Sequence, residues 1–241
     1  MKKYIVLLLI IPFLIGCFAT TSQNIVTKSD SYKEFYNEDP HTILIMPPIN
    51  RSTNVEAKDY FYSTLSVPFS ESGYYVYPTF LTYHVLQSEG AYDSELFINE
   101  SLSKFREFIN ADAALFTVIH SWDKLNISAV KVDIEYFLRS TITDNTIYHK
   151  RAEITVNTQI STGLSDVTDY MGINPLVGLL VELVADVALS AANTALTENV
   201  YVARSCNNYS LKWLPVGKYH EKYQIDKEEN AGPEIINYYF R

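Results

Sequence analysis

An α/β fold in one domain is what the sequence predicts. Its mixed sheet is built around a central antiparallel hairpin, flanked by helices, and a long apolar helix follows towards the C-terminus. Three observations carry this. Residues 127–160 alternate apolar and polar on both sides of a turn. Short unbroken apolar runs at 42–46, 74–77 and 113–121 are interleaved with helical stretches. Residues 175–202 are apolar around most of a helical circumference. Alternation of period two puts one strand face in a core and the other in water, whereas unbroken runs suit strands covered on both faces.

The first strand is predicted at Thr42-Ile43-Leu44-Ile45-Met46, stopped by Pro47-Pro48. Ser52 or Thr53 then caps a helix over about 55–70, with Glu56 in its first turn and Pro68 late enough to shorten it. Gly73 is the stop signal, and Tyr74–Tyr77 form a second strand ended by Pro78. Helices over about 79–88 and 101–110 lead to a third strand at 113–121. In the hairpin, Val130, Val132, Ile134, Tyr136 and Leu138 face the core, as do Ala152, Ile154, Val156 and Ile160. Lys131, Asp133, Glu135, Phe137, Arg139, Arg151, Glu153, Asn157 and Gln159 alternate with them on the face towards water, where opposed charges add a few tenths of a kcal/mol per pair. Pro175 suits the first turn of the long helix. A helix apolar nearly all round needs a deep core, another subunit or a membrane, and Glu182 and Asp186 argue against the membrane. Core and subunit surface both stay open, with Leu176, Leu180, Leu183 and Val187 as the candidate interface. The aromatic tail wraps the surface, and its last ten residues are left as either disordered or partner-binding.

At the N-terminus, Lys2 and Lys3 precede an apolar run over Ile5–Ile15, 11 residues long, that ends in Gly16-Cys17. A bilayer-spanning helix needs about 20 residues, so this run reads as a cleaved leader. Basic start, apolar middle, small residue and cysteine make up the layout of a lipoprotein signal. Cleavage between Gly16 and Cys17 is expected, with acyl chains then carried by Cys17. At about 0.8 kcal/mol per buried methylene, two or three chains give near-permanent membrane attachment. Phe18, in place of an aspartate, favours the outer membrane, on its periplasmic or its surface face. The expected layout is a signal peptide at 1–16, lipidated Cys17 and a polar tether at 17–39, a domain at 40–223 and a C-terminal extension at 224–241.

The whole chain carries 19 Lys+Arg and 28 Asp+Glu, a net charge of −9. Loss of residues 1–16 removes two lysines and moves it to −11. An acidic surface repels phosphate backbones, which excludes nucleic acid as a partner and leaves the lipid as the membrane attachment. With Cys17 acylated, only Cys206 remains, so no internal disulfide forms, and a buried apolar role is expected for it.

No catalytic motif is present: no P-loop, dinucleotide fingerprint, nucleophile elbow or zinc-protease helix. The five histidines (His41, His84, His120, His149 and His220) lack zinc-ligand spacing, so no metal or cofactor is expected. Asn50, Arg51 and Ser52, at the carboxyl end of the first strand, are the candidate anion site, with a turn and helix cap as the competing reading. Glu182 and Asp186 share a helix face but read as a polar stripe.

Several blocks together resemble a family of bacterial lipoproteins (GNA-type) that includes a meningococcal surface-lipoprotein vaccine candidate. These are residues 40–52 (PHTILIMPPINRS), 71–78 (ESGYYVYP), 111–115 (ADAAL), the helix over 175–200 and 214–220 (LPVGKYH). The resemblance implies a domain similar to the amino-terminal domain of TolB and the periplasmic domain of CsgG. It implies no enzymatic activity and no catalytic residues, and it suggests a CsgG-like envelope lipoprotein as partner. Beside it, the residues support a non-enzymatic, lipid-anchored accessory or assembly subunit of an outer-membrane complex, self-associating through the apolar helix. A carrier or sensor for a lipid or small envelope ligand is the alternative. The tail beyond Tyr223 is not explained by the family blocks.

Overall fold

The computed structural model describes residues 26–88, 94–126, 129–157 and 191–240. In chain order the elements are α1 (Lys28–Ser31), α2 (Lys33–Glu38), β1 (Thr42–Ile45), β2 (Ile49–Asn50), α3 (Ala57–Thr64), α4 (Ser66–Glu71) and β3 (Tyr75–Val76). They continue with α5 (Thr79–Ser88), α6 (Ser103–Ile109), β4 (Ala113–Asn126), β5 (Ala129–Ser140), β6 (Thr146–Asn157), α7 (Ala191–Leu211) and β7 (Ile235–Phe240). The mixed α/β architecture is as the sequence predicts.

The sheet runs β3-β1-β4-β5-β6-β7, and β2 joins β4 beyond the end of β1. Proline has no N–H to give a ladder, so Pro47-Pro48 split what would be one strand into β1 and β2, both parallel to β4. The pairs β4–β5 and β5–β6 are antiparallel, and β7 lies parallel to β6. β1 is buried on both faces. On one side Ile43 and Ile45 pack with α3, α4 and α7 through Phe61, Leu65, Phe69 and Cys206. On the other, Leu44 and Met46 meet Leu86 and Phe105 from α5 and α6. That second layer covers only the β1–β4 half of the sheet. Along β5 and β6 buried residues therefore alternate with partly exposed ones, and the inner face carries the predicted Val130-to-Leu138 and Ala152-to-Val156 sets.

One polar network is sunk in the inner face. The buried Tyr136 hydroxyl donates to Asn207 Oδ1 at 2.8 Å, and Asn207 Nδ2 donates to Thr64 Oγ1 at 2.9 Å. It links β5, α7 and α3. A buried donor left unpaired costs about 1–3 kcal/mol, so this chain of bonds fixes the seat of α7 on the sheet.

Four expectations need correction. The tether does not extend to residue 39. Residues 28–38 form α1 and α2, with Tyr32 and Phe35 buried in the core, because these two aromatics supply enough apolar area to dock a polar-looking segment. The last ten residues, expected to be disordered or to bind a partner, instead hold a strand of the sheet: Ile235–Phe240 pair residue by residue with β6. The helix expected over about 55–70 is split into α3 and α4 at Leu65, with Pro68 inside α4, and α3 starts without a side-chain cap from Ser52 or Thr53. The last helix continues past Val202 to Leu211, and Val202, Ala203, Cys206 and Leu211 meet the core. Residues 175–190, with the candidate interface Leu176, Leu180, Leu183 and Val187, lie outside the described residues. Among the described residues no helix is long and apolar enough to cross a membrane.

Candidate functional site

A dense polar construction lies where the described chain enters the fold. Val26 accepts from Ala231 N at 3.0 Å, and Lys28 N donates to Glu229 O at 2.9 Å, so the first described residues pair with the tail just ahead of β7. Thr27 caps α1 by accepting from Asp30 N. Lys28 then turns inward. Its ammonium donates to Asp226 at 3.1 Å, to Glu229 at 3.1 Å and to Leu214 O at 3.3 Å, with 3% of the Lys28 side chain and none of Asp226 exposed. Asp226 also accepts from Val216 N at 2.9 Å. A buried cation is tolerable only when its donors are all placed, and here one lysine gathers three separate pieces of the tail.

A second lysine completes the clasp from the sheet side. Lys150 of β6, 2% exposed, donates to Ala231 O at 3.0 Å and Pro233 O at 2.8 Å. Tyr32 donates to Ala231 O at 3.3 Å, and its ring lies 5.5 Å from the Lys150 ammonium and 5.1 Å from the Tyr148 ring. Burial pushes the Lys150 ammonium down to about 8, against the pull of Glu234. Gly232, at φ +70°, lets the tail pass Trp213, whose ring lies 2.4 Å from where a Cβ would stand. Further along, Gly217 N donates to Ser72 O and Tyr219 N to Gly73 O, and Gly73 holds φ +83° against the His220 backbone. Tyr74 donates to Pro215 O at 2.5 Å. Two of the blocks that carried the resemblance, 71–78 and 214–220, are thus in direct contact. Another two meet at Asp112, which accepts from His41 N and Thr42 N, both at 3.0 Å.

Sequence reasoning missed Lys28, Asp226 and Lys150. Lys28 and Asp226 stand in stretches without periodicity, and Lys150 was not singled out on its strand. The usable signal was the pair of aromatics after Lys28, Tyr32 and Phe35, which a free tether has no need of.

The candidate anion site comes together differently from its expectation. Asn50 Oδ1 accepts from both the Ser52 N–H, at 3.0 Å, and the Ser52 hydroxyl, at 2.7 Å. Arg51 N donates to Ile119 O, and the Arg51 guanidinium meets Glu95 at 3.3 Å. The N–H groups that would face an anion are spent inside the turn, and α3 begins only at Ala57. Beside it, Thr53, Asn54, Trp122, Asp123, Lys124 and Asn199 line an open polar cleft of about 400 Å³. Gly16 and Cys17 lie outside the described residues.

The open outer face of the hairpin carries a charge lattice. Arg151 makes a two-point contact with Asp133, at 3.0 and 2.7 Å, and Lys131 meets Glu153 at 2.6 Å. Glu135 accepts from His120 of β4 and His149 of β6, each at 2.7 Å, and the His149 ring stacks on Phe137. Burial pushes the Glu135 carboxyl up, but the two imidazole contacts outweigh it and leave it below the usual glutamate value. Among the described residues no group of three or more His, Cys, Asp or Glu side chains is arranged to hold a metal ion. Cys206 is a free buried thiol whose acidity burial suppresses, as expected of a small core residue.

Comparison with known proteins agrees with the resemblance. Residues 30–211 match the family described as "Putative lipoprotein GNA1162-like". The "Putative lipoprotein NMB1124/NMB1162" of Neisseria meningitidis serogroup B is 23% identical over 180 residues, covering 75% of this chain and 78% of that protein. The crystal structure of lipoprotein GNA1162 from Neisseria meningitidis is similar at 21% identity and a TM-score of 0.46, over 61% of this chain and 99% of that one. The LpoB C-terminal domain from Escherichia coli is similar at 11% identity and a TM-score of 0.35, over 52% of this chain and 93% of that one.

Proposed function

The chain belongs to the GNA1162-like lipoprotein family, and from that premise we propose that it is a non-enzymatic, lipid-anchored accessory subunit of an outer-membrane complex. In this reading Cys17 carries the acyl chains and the domain is held by them at the membrane. Subunit contacts come from copies of itself through Leu176, Leu180, Leu183 and Val187, or from a CsgG-like lipoprotein. The TolB-like and CsgG-like character of the domain, implied by the resemblance, belongs to the same proposal.

The observation that supports it best is the lysine clasp. The second half of the expected tether is built into the core through Lys28, Tyr32 and Phe35, and the tail is closed over it. A domain that only needed to diffuse near a membrane has no use for a buried ion pair at its tether junction. A domain that must be presented to neighbours in one orientation does. The work of such a subunit is positional: the lipid sets its place, and the clasp fixes where the chain joins the domain.

The test has two parts. Cys17→Ser is expected to abolish acyl labelling and to release the protein from sedimented envelopes; unchanged labelling and sedimentation would sink the anchoring. Detergent-solubilised lipidated protein is expected to sediment as an assembly in analytical ultracentrifugation. A monomer across the micromolar range, alone and with its purified envelope neighbours, would sink the subunit role.

A further inference from the structure

We infer that the end of the domain formed by Val26 and the tail loop 218–227 is a bilayer-contacting surface, with Tyr219 and Ile225 seated in the headgroup region of the membrane. The inference deepens the proposed function and rests on acylation of Cys17.

Three observations meet here. The first is reach. Nine peptide steps separate Cys17 from Val26, a covalent span of at most about 30 Å even at full stretch. β4 alone has 14 residues, and at about 3.3 Å per residue it runs about 45 Å from end to end. Val26 joins the fold beside Ala231 and Lys150, near the turn end of the β5–β6 hairpin, where β4 begins and β5 finishes. A slack tether brings this end to the bilayer. The opposite end, where β4 finishes at Leu125 and Asn126, needs a tether drawn almost straight along the flank, at a large loss of chain entropy.

The second is side-chain chemistry. Val26 is 57% exposed, Tyr219 71% and Ile225 72%, three large apolar residues around the point of attachment. They are held outward by structure that ties their neighbours inward. Tyr219 N is bound to Gly73 O, the Tyr223 hydroxyl donates to Asp39, and Gln224 takes a left-handed backbone that turns Ile225 away from the domain. Lys218 and Lys222 stand exposed beside them. A tyrosine and an aliphatic with lysines alongside suit the headgroup boundary, where the rings and methyls enter and the ammonium groups stay wet.

The third is charge. Without residues 1–16 the chain has a net charge of −11, yet residues 212–231 carry four lysines and four acids. The loop therefore carries none of the acid excess, and an anionic bilayer repels it less than it repels the surface on average. The occupant these observations favour is a lipid surface.

The test uses the lipidated full chain carrying one environment-sensitive fluorophore, on Tyr219→Cys, Ile225→Cys or, as the far-end control, Leu125→Cys. Cys206 is fully buried and Cys17 is consumed by acylation, so each variant offers one reactive thiol. Each is bound to phosphatidylethanolamine–phosphatidylglycerol vesicles containing a nitroxide-bearing lipid, and acylation is verified by intact mass. The expected result is strong loss of fluorescence at 219 and 225 with none at 125. Acylated protein quenched most at 125, equally at all three positions or at none would overturn the inference and leave the anchoring standing. An intact mass without acyl chains would instead overturn the anchoring, and this inference with it.

Discussion

Lys28–Asp226 and Arg151–Asp133 are the same chemistry in two solvents. Both join a cation to an aspartate, at 3.1 and 2.7 Å. Lys28 and Asp226 are 3% and 0% exposed, whereas Arg151 and Asp133 are 41% and 16% exposed. In the clasp the ions have given up water and depend on each other. On the outer hairpin face water stands ready to replace either partner. Geometry alone would rank the two-point arginine contact as the stronger, but desolvation reverses the ranking for the loss of one partner. The clasp is thus a place where a single change is costly, and the lattice a place where charges can be exchanged freely.

The largest expected effect follows directly. Lys28→Met leaves Asp226 buried without its cation, and removing one member of a buried pair costs about 3–5 kcal/mol. Urea denaturation is expected to show a loss of that size. The double change Lys28→Met with Asp226→Leu is expected to recover much of it, because both desolvated charges are gone. A Lys28→Met variant within about 1 kcal/mol of the parent would break the comparison, since it would put the clasp on the surface-pair scale.

Lys150 sharpens the same contrast through pH. It has carbonyl oxygens but no paired carboxylate, and its folded value lies near 8 against an ordinary 10.5. Between those values the unfolded chain holds a proton that the folded chain has shed, so unfolding takes up a proton and stability rises with pH. The contribution is smallest below about 8 and complete above 10.5. Melting temperatures measured from pH 7.5 to 10 are expected to climb relative to Lys150→Met, which lacks the titrating group. A difference between the two that stays flat across this window would mean that the carbonyl oxygens hold the ammonium well enough to cancel its burial.

The same contrast explains what was legible beforehand. Apolar periodicity reports burial of apolar groups, and it located β1, β4, β5, β6 and the core set from Val130 to Val156 without the structure. It is blind to buried charge. Lys28-Ser29-Asp30-Ser31 reads as solvated chain because its one buried member is a lysine, and nothing local says that Asp226 waits for it 198 residues away. The C-terminal strand escaped for a related reason. Ile235, Tyr238 and Tyr239 are all substantially exposed at the sheet edge, so Ile236 is the fully buried member of the strand and no alternation develops. The turn at Asn50–Ser52 was expected to close the first strand, whereas it follows β2, a short strand beyond Pro47-Pro48, and the competition for its N–H groups was invisible. Only the fold reveals that Asn50 Oδ1 and Ile119 O take them.

The smallest expected effect lies on the hairpin face. Arg151→Ala removes both contacts to Asp133, yet Asp133 keeps solvent access and Lys131 stands two residues away on the same face of β5. Exposed pairs contribute about 0.2–1 kcal/mol, so the urea midpoint is expected to move by no more than that, and the shift is expected to shrink in high salt. The salt dependence is the discriminating reading. A buried pair is screened little, so the Lys28→Met penalty is expected to persist at salt concentrations that erase the Arg151→Ala penalty. If the two losses faded together, water would reach Asp226 as readily as Asp133, and the clasp could not hold Lys28 and the tail in one fixed arrangement.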